Sequence, residues 1–63
     1  MKGTVKFFNS QKHFGFISGE DEKDYFVHSS QILDNAVLDE NDEVEFSGEE
    51  GDRGLVAKEV KKL

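Results

Sequence analysis

With 63 residues, a net charge of −6 and no cysteine, the chain is expected to form one small domain over residues 1–63 that neither a disulfide nor a thiolate zinc site can staple. No apolar run approaches the roughly 20 residues of a membrane span, and no apolar segment follows the charged N-terminus as in a secretory signal. These exclusions point to a soluble cytoplasmic protein of narrow stability, since a domain of this size buries only about 60% of its unfolded surface.

Short runs rich in Phe, Val and Ile, separated by turn-forming clusters, predict strands throughout. The first spans Lys2–Asn9 and ends at Asn9-Ser10. A second spans Phe14–Ser18 and a third Asp24–His28, and the intervening Gly19–Asp24 is short enough to pair them as a hairpin. Ser29 to Leu33 predicts a helical turn with a serine as N-cap, halted by Asp34-Asn35. After Asn41-Asp42 a fourth strand is expected over Glu43–Ser47, then a turn region from Gly48 to Gly54. The last segment, Leu55–Lys62, carries Val56, Val60 and Leu63 at helical spacing. A barrel needs a closing strand, so this segment is assigned as strand. Five short strands of this kind predict an all-β fold, a small closed barrel without exposed sheet edges.

Side chains alternate across a strand with period two. Phe14, Phe16 and Ser18 therefore share one face of the second strand, opposite Gly15 and Ile17. Phe26 and His28 share one face of the third, opposite Tyr25 and Val27. Both faces are apolar and a barrel has one inside, so two assignments fit. Either the phenylalanines fill the core, as aromatics usually do, or they lie outside and Ile17, Tyr25 and Val27 are core. Ser18 and His28, which prefer water, ride with the rings, and Gly15 suits a close backbone approach. An exposed ring cluster of this kind marks an interaction site.

Charge is unevenly spread. Residues 1–19 hold Lys2, Lys6 and Lys12 and no acid, whereas all but Glu59 of the fourteen acids lie between 20 and 52. Arg53, Lys58, Lys61 and Lys62 restore positive charge near the end. Flat rings flanked by Lys6 and Lys12 suit single-stranded nucleic acid, because every base offers a π-face and lysines neutralise phosphates. No segment resembles a duplex-reading helix. Phe7 and Phe8 are adjacent, so a regular strand sends one inward and one outward, while a bulge could turn both toward a ligand. Asn9 fits either a base edge or a turn at the strand end.

Lys6-Phe7-Phe8-Asn9, Lys12-His13-Phe14-Gly15-Phe16-Ile17, Tyr25-Phe26-Val27-His28 and Gly51-Asp52-Arg53-Gly54 together resemble the motifs of the cold-shock domain over essentially the whole chain. The family's patterns there are Lys-Trp-Phe-Asn, Lys-Gly-Phe-Gly-Phe-Ile, Val-Phe-Val-His and Gly-Asn-Arg-Gly. The resemblance, closest to small stand-alone bacterial-type cold-shock proteins, implies a five-stranded antiparallel OB-type β-barrel. It also implies an RNA chaperone that binds single-stranded RNA and DNA, melts secondary structure and tunes transcription or translation under stress. On this reading the nucleic-acid-binding residues are Lys6, Phe7, Phe8, Asn9, Lys12, Phe14, Phe16, Phe26, His28 and Arg53. The protein would be a monomer without catalysis, metal, cofactor or membrane partner.

The chain departs from the pattern at several points. Phe7 replaces Trp, His13 replaces Gly, Ser29 stands where many members have Phe, Leu55 where they often have Pro, and the Leu33–Val37 loop lacks an aromatic. Fewer and smaller rings, with an acidic middle, predict weaker affinity than in a Trp-containing, less acidic relative. Two other functional classes would make different demands on the same residues. An acidic protein-interaction barrel would require the phenylalanines to be core. A metal nuclease would need His13 and His28 to meet Asp21, Glu22 and Asp24, residues without defined ligand spacing.

Overall fold

Alternating apolar residues bounded by turns produce five strands in the computed structural model, which describes residues 1–52 and 54–63. They are β1 (Lys2–Asn9), β2 (Phe14–Gly19), β3 (Asp24–His28), β4 (Glu43–Gly51) and β5 (Gly54–Lys62). They close into a barrel in the order β1-β2-β3-β5-β4. The architecture is all-β and of the OB type. The β1–β2, β2–β3, β1–β4 and β4–β5 pairings are antiparallel. Closure is parallel, through Phe26↔Val56 between β3 and β5 and the single bridge Ile32↔Val60.

The fourth strand runs four residues past its expected end at Ser47, because Gly48 to Gly51 continue the ladder with β5 up to the Gly51↔Gly54 pair. Gly48 tolerates this position because Tyr25 occupies the space a side chain would need, its Cε2 lying 2.6 Å from where a Cβ would sit. The predicted helical turn is a 3-10 turn over Ser29–Gln31, and its cap is His28 rather than a serine. A second 3-10 turn, Leu33–Asn35, follows.

Val5, Ile17, Tyr25, Val27, Val44, Phe46, Ala57 and Val60 fill the interior, with Ile32 and Leu38 sealing it. The rings of Phe14, Phe16 and Phe26 are half-buried on the outside and do not belong to this core. Gly15 sets that choice. A Cβ there would collide with the Phe7 carbonyl oxygen and the Phe8 ring, so the inward face of β2 has no room for bulk at this point. Phe14 and Phe16, its neighbours, are thereby directed outward.

Two bulges break the alternation. Val5 faces Ile17 but Phe7 faces Phe16, so Lys6 is an extra residue in β1. This places Val5 and Phe8 on the inward side at a spacing of three and turns Phe7 outward. In the β4–β5 ladder, Glu45 faces Lys61 and Ser47 faces Lys58, so Glu59 and Val60 together oppose Phe46. Glu59 takes the left-handed conformation at φ 53°. Ala57 and Val60 consequently both point inward at a spacing of three, whereas Val56 and Leu63, which share helical spacing with Val60 in the sequence, do not belong to the core.

Candidate nucleic-acid interface

The outward face of β1, β2 and β3 carries four phenyl rings in an unbroken chain. Phe7 and Phe16 have centroids 5.6 Å apart, Phe16 and Phe26 5.7 Å, and Phe26 and Phe14 5.7 Å. The last pair is stacked, and the other two are tilted and edge-on. This order follows from register, since Phe7↔Phe16, Phe16↔Phe26 and Phe14↔His28 are direct cross-strand partners. Phe7 is the most open ring, at 43% exposure. His28 extends the row beside Phe14 and is exposed. Its Nδ1 accepts the Ser30 backbone N–H at 3.1 Å, and the Ser30 hydroxyl lies 3.0 Å away. The neutral ring therefore carries its proton on Nε2, which is left as the free donor.

The remaining expected site residues are distributed unevenly. Phe8 does not join the outward row; the Lys6 bulge turns it inward, where it packs half-buried against the core. Asn9 Oδ1 accepts the backbone N–H groups of Gln11 and Lys12, both at 3.0 Å, so its acceptor serves the turn and only its amide NH2 remains free. Lys6 Nζ donates to Asp24 Oδ2 at 3.1 Å, an exposed pair at the edge of the rings. Lys12 is exposed on the β1–β2 turn. Arg53 lies outside the described residues.

Two neighbours were not anticipated from sequence. Val56, paired with Phe26 across the parallel closure, lines a groove with Phe16, Phe26, Asp24 and Leu55. Lys58 lines a second shallow groove with Phe26 and His28 and is paired with Glu49 at 3.6 Å. Finding them required knowing which strand closes the barrel against β3. Exposed pairs such as Lys6–Asp24 and Lys58–Glu49 contribute only about 0–1 kcal/mol, so neither ammonium group is held firmly by its carboxylate.

Asp24 lies beside the rings, whereas the acids whose titration is clearly shifted, Asp21 and Asp42, make structural contacts. The Tyr25 hydroxyl donates to Asp21 Oδ2 at 2.6 Å. This bond holds the Asp21 carboxyl below the usual carboxylate range and pushes the Tyr25 phenol up. Asp42 is lowered by the Asp39 backbone N–H at 2.8 Å and then by Lys62 at 3.1 Å. The β2–β3 ladder places Ser18↔Asp24 at one end and Phe14↔His28 at the other. Four residues of strand separate His28 from the hairpin acids by about 13 Å, too far for a shared metal. Among the described residues, no group of three or more His, Asp or Glu is placed to hold a metal ion, and no helix is long and apolar enough to cross a membrane.

The family model described as "'Cold-shock' DNA-binding domain" matches residues 1–63. The Major cold shock protein of Micrococcus luteus is 52% identical over 64 residues, covering 97% of this chain and 96% of the relative. Cold shock-like protein CspE of Bacillus anthracis is 51% identical over 65 residues, covering 100% and 97%. Among solved structures, "drosophila Unr CSD456" superposes with a TM-score of 0.75 at 30% identity over 98% of this chain, which spans about a quarter (26%) of that longer one. The barrel with its outward aromatic row, and relatedness along its whole length, place the chain in the cold-shock DNA-binding domain family.

Proposed function

We propose that the chain binds single-stranded RNA and DNA by stacking bases on Phe7, Phe16, Phe26, Phe14 and His28 while Lys6, Lys12 and Arg53 contact phosphates. By holding unpaired strands it acts as an RNA chaperone, a cytoplasmic monomer without catalysis that melts weak secondary structure and so tunes transcription or translation. The observation that carries this reading is the continuous outward row of four phenyl rings at 5.6–5.7 Å. Such a row is costly in water unless something covers it, and base stacking on it tolerates any sequence at about 1–3 kcal/mol per base. With two or three of these cations on phosphate, the log–log salt dependence has a slope of roughly −1.4 to −2.1. The acid excess repels phosphate at long range, and the phenyl ring at position 7 is smaller than an indole, so affinity is modest.

The test is an NMR titration with oligo-thymidine and oligo-uridine. Ring and amide shifts are expected at Phe7, Phe14, Phe16, Phe26 and His28, with the Glu20–Lys23 hairpin tip silent. A map confined to acidic positions, or no shifts at millimolar oligonucleotide, would remove the proposal. The protein-docking alternative required these rings in the core; with the rings outside, no observation favours it.

A further inference from the structure

His13 stands in the left-handed region at φ 64°, a conformation that glycine adopts without strain and that a residue with a Cβ resists. Its carbonyl accepts the Ser29 backbone N–H at 2.9 Å, which ties the start of β2 to the exit of β3 and holds the turn in place. That bond needs only backbone, so it does not account for an imidazole. The side chain is exposed and makes no hydrogen bond or ion pair among the described residues. It lines a shallow groove at the end of the barrel together with Phe8, Ser10, Ser29, Ser30 and Ala36.

The chemistry of that groove is selective. Its polar rim is the His13 imidazole and the Ser10 and Ser29 hydroxyls, able to donate, beside a Ser30 hydroxyl that already lies 3.0 Å from His28 Nδ1, and Lys12 precedes His13 in the same turn. No carboxylate lines it, in a chain with fourteen acids. Donors without acceptor charge favour an anion. The groove also continues directly from the ring row, since His13 adjoins Phe14 and Ser29 follows His28. Resting on the proposed single-strand reading, we infer that His13, with the rim hydroxyls, holds a backbone phosphate of the strand beside the base stacked on Phe14 and His28. The retained backbone strain is then the cost of a phosphate contact that glycine could not supply.

The test combines His13→Gly with a scan of oligo-thymidine in which one phosphate at a time is replaced by a neutral methylphosphonate. His13→Gly is expected to fold at least as stably as the parent and to bind about threefold to tenfold more weakly, the net value of one solvent-exposed hydrogen bond. One linkage should lose affinity on neutralisation in the parent but not in His13→Gly. Equal losses at every linkage in both proteins, with His13→Gly still weaker, would mean a base contact and overturn the assignment. Unchanged or tighter binding by His13→Gly would overturn it as well. A parent chain that binds no oligonucleotide would sink the single-strand reading itself, a result distinguishable from either of these.

Discussion

Replacing Phe7 separates binding from folding more cleanly than any other change to the ring row. Phe7 is 43% exposed, lies outside the core, and touches one other ring, Phe16 at 5.6 Å. Phe7→Ala therefore removes a single aromatic pair, about 0.5–1.5 kcal/mol beyond the ring's partial burial, and stays short of the roughly 3–5 kcal/mol of Phe46→Ala in the interior. If a base stacks on Phe7, the same change costs about 1–3 kcal/mol of binding, or roughly fivefold to 150-fold in Kd. Phe7→Trp enlarges the stacking face and is expected to tighten binding by about twofold to fivefold. Because the chain has no tryptophan of its own, the introduced indole is also a unique reporter, quenched when a base covers it. Fluorescence anisotropy with labelled oligo-thymidine gives Kd, and urea unfolding gives stability at the same salt. A Phe7→Ala protein that keeps its affinity within twofold refutes stacking at this ring. A stability loss as large as that of Phe46→Ala refutes its outward placement.

Gly15→Ala forces a methyl into the Phe7 carbonyl and the Phe8 ring, and a loss of about 1–3 kcal/mol is expected in urea unfolding; an unchanged midpoint would contradict the tight β1–β2 approach. Asp24→Asn frees Lys6 from its 3.1 Å partner and removes a negative charge beside the rings. Binding to oligo-thymidine should tighten by about twofold to fivefold at low salt, with the gain fading at high salt; equal affinity at low salt would leave Lys6 without a phosphate role. Asp21 and Asp42 titrate lower in the fold than in the unfolded chain. The stability they contribute is thus present above about pH 4 and lost as acid titrates them through their lower folded values. Tyr25 is raised, so its contribution is present below about pH 10 and lost as pH climbs through the folded value. Urea midpoints across pH check both limbs, and Tyr25→Phe, which keeps the buried ring, should flatten the alkaline one.

Strand identity was legible in the chain because turn-forming residues fall between short apolar runs and a half-buried strand needs little more than alternation. The five runs, the hairpin joining Phe14–Ser18 to Asp24–His28, and the grouping of Phe14 and Phe16 apart from Ile17 are all local properties. Which of those two groups faced water was not local. Alternation assigns residues to two faces without saying which is inside, and both faces here are apolar. The contact that settles it is between strands: Gly15 lies against the Phe7 carbonyl and Phe8, so the rings beside it turn out.

The bulges were hidden for the same reason. A bulge is a mismatch between two strands, visible only when both are in register, and the one in β1 changed the site. Lys6 turned Phe7 into the ring row and Phe8 out of it. Glu59 brought Ala57 and Val60 to the same inward face three residues apart. Val56 and Lys58 reached the interface through a parallel closure that no stretch of sequence announces. Sequence by itself determined the strands, their hairpin and the residue types able to stack on bases, because propensity and periodicity act over a few neighbours. Tertiary structure alone decided orientation, register and closure, because each depends on what a distant strand leaves room for.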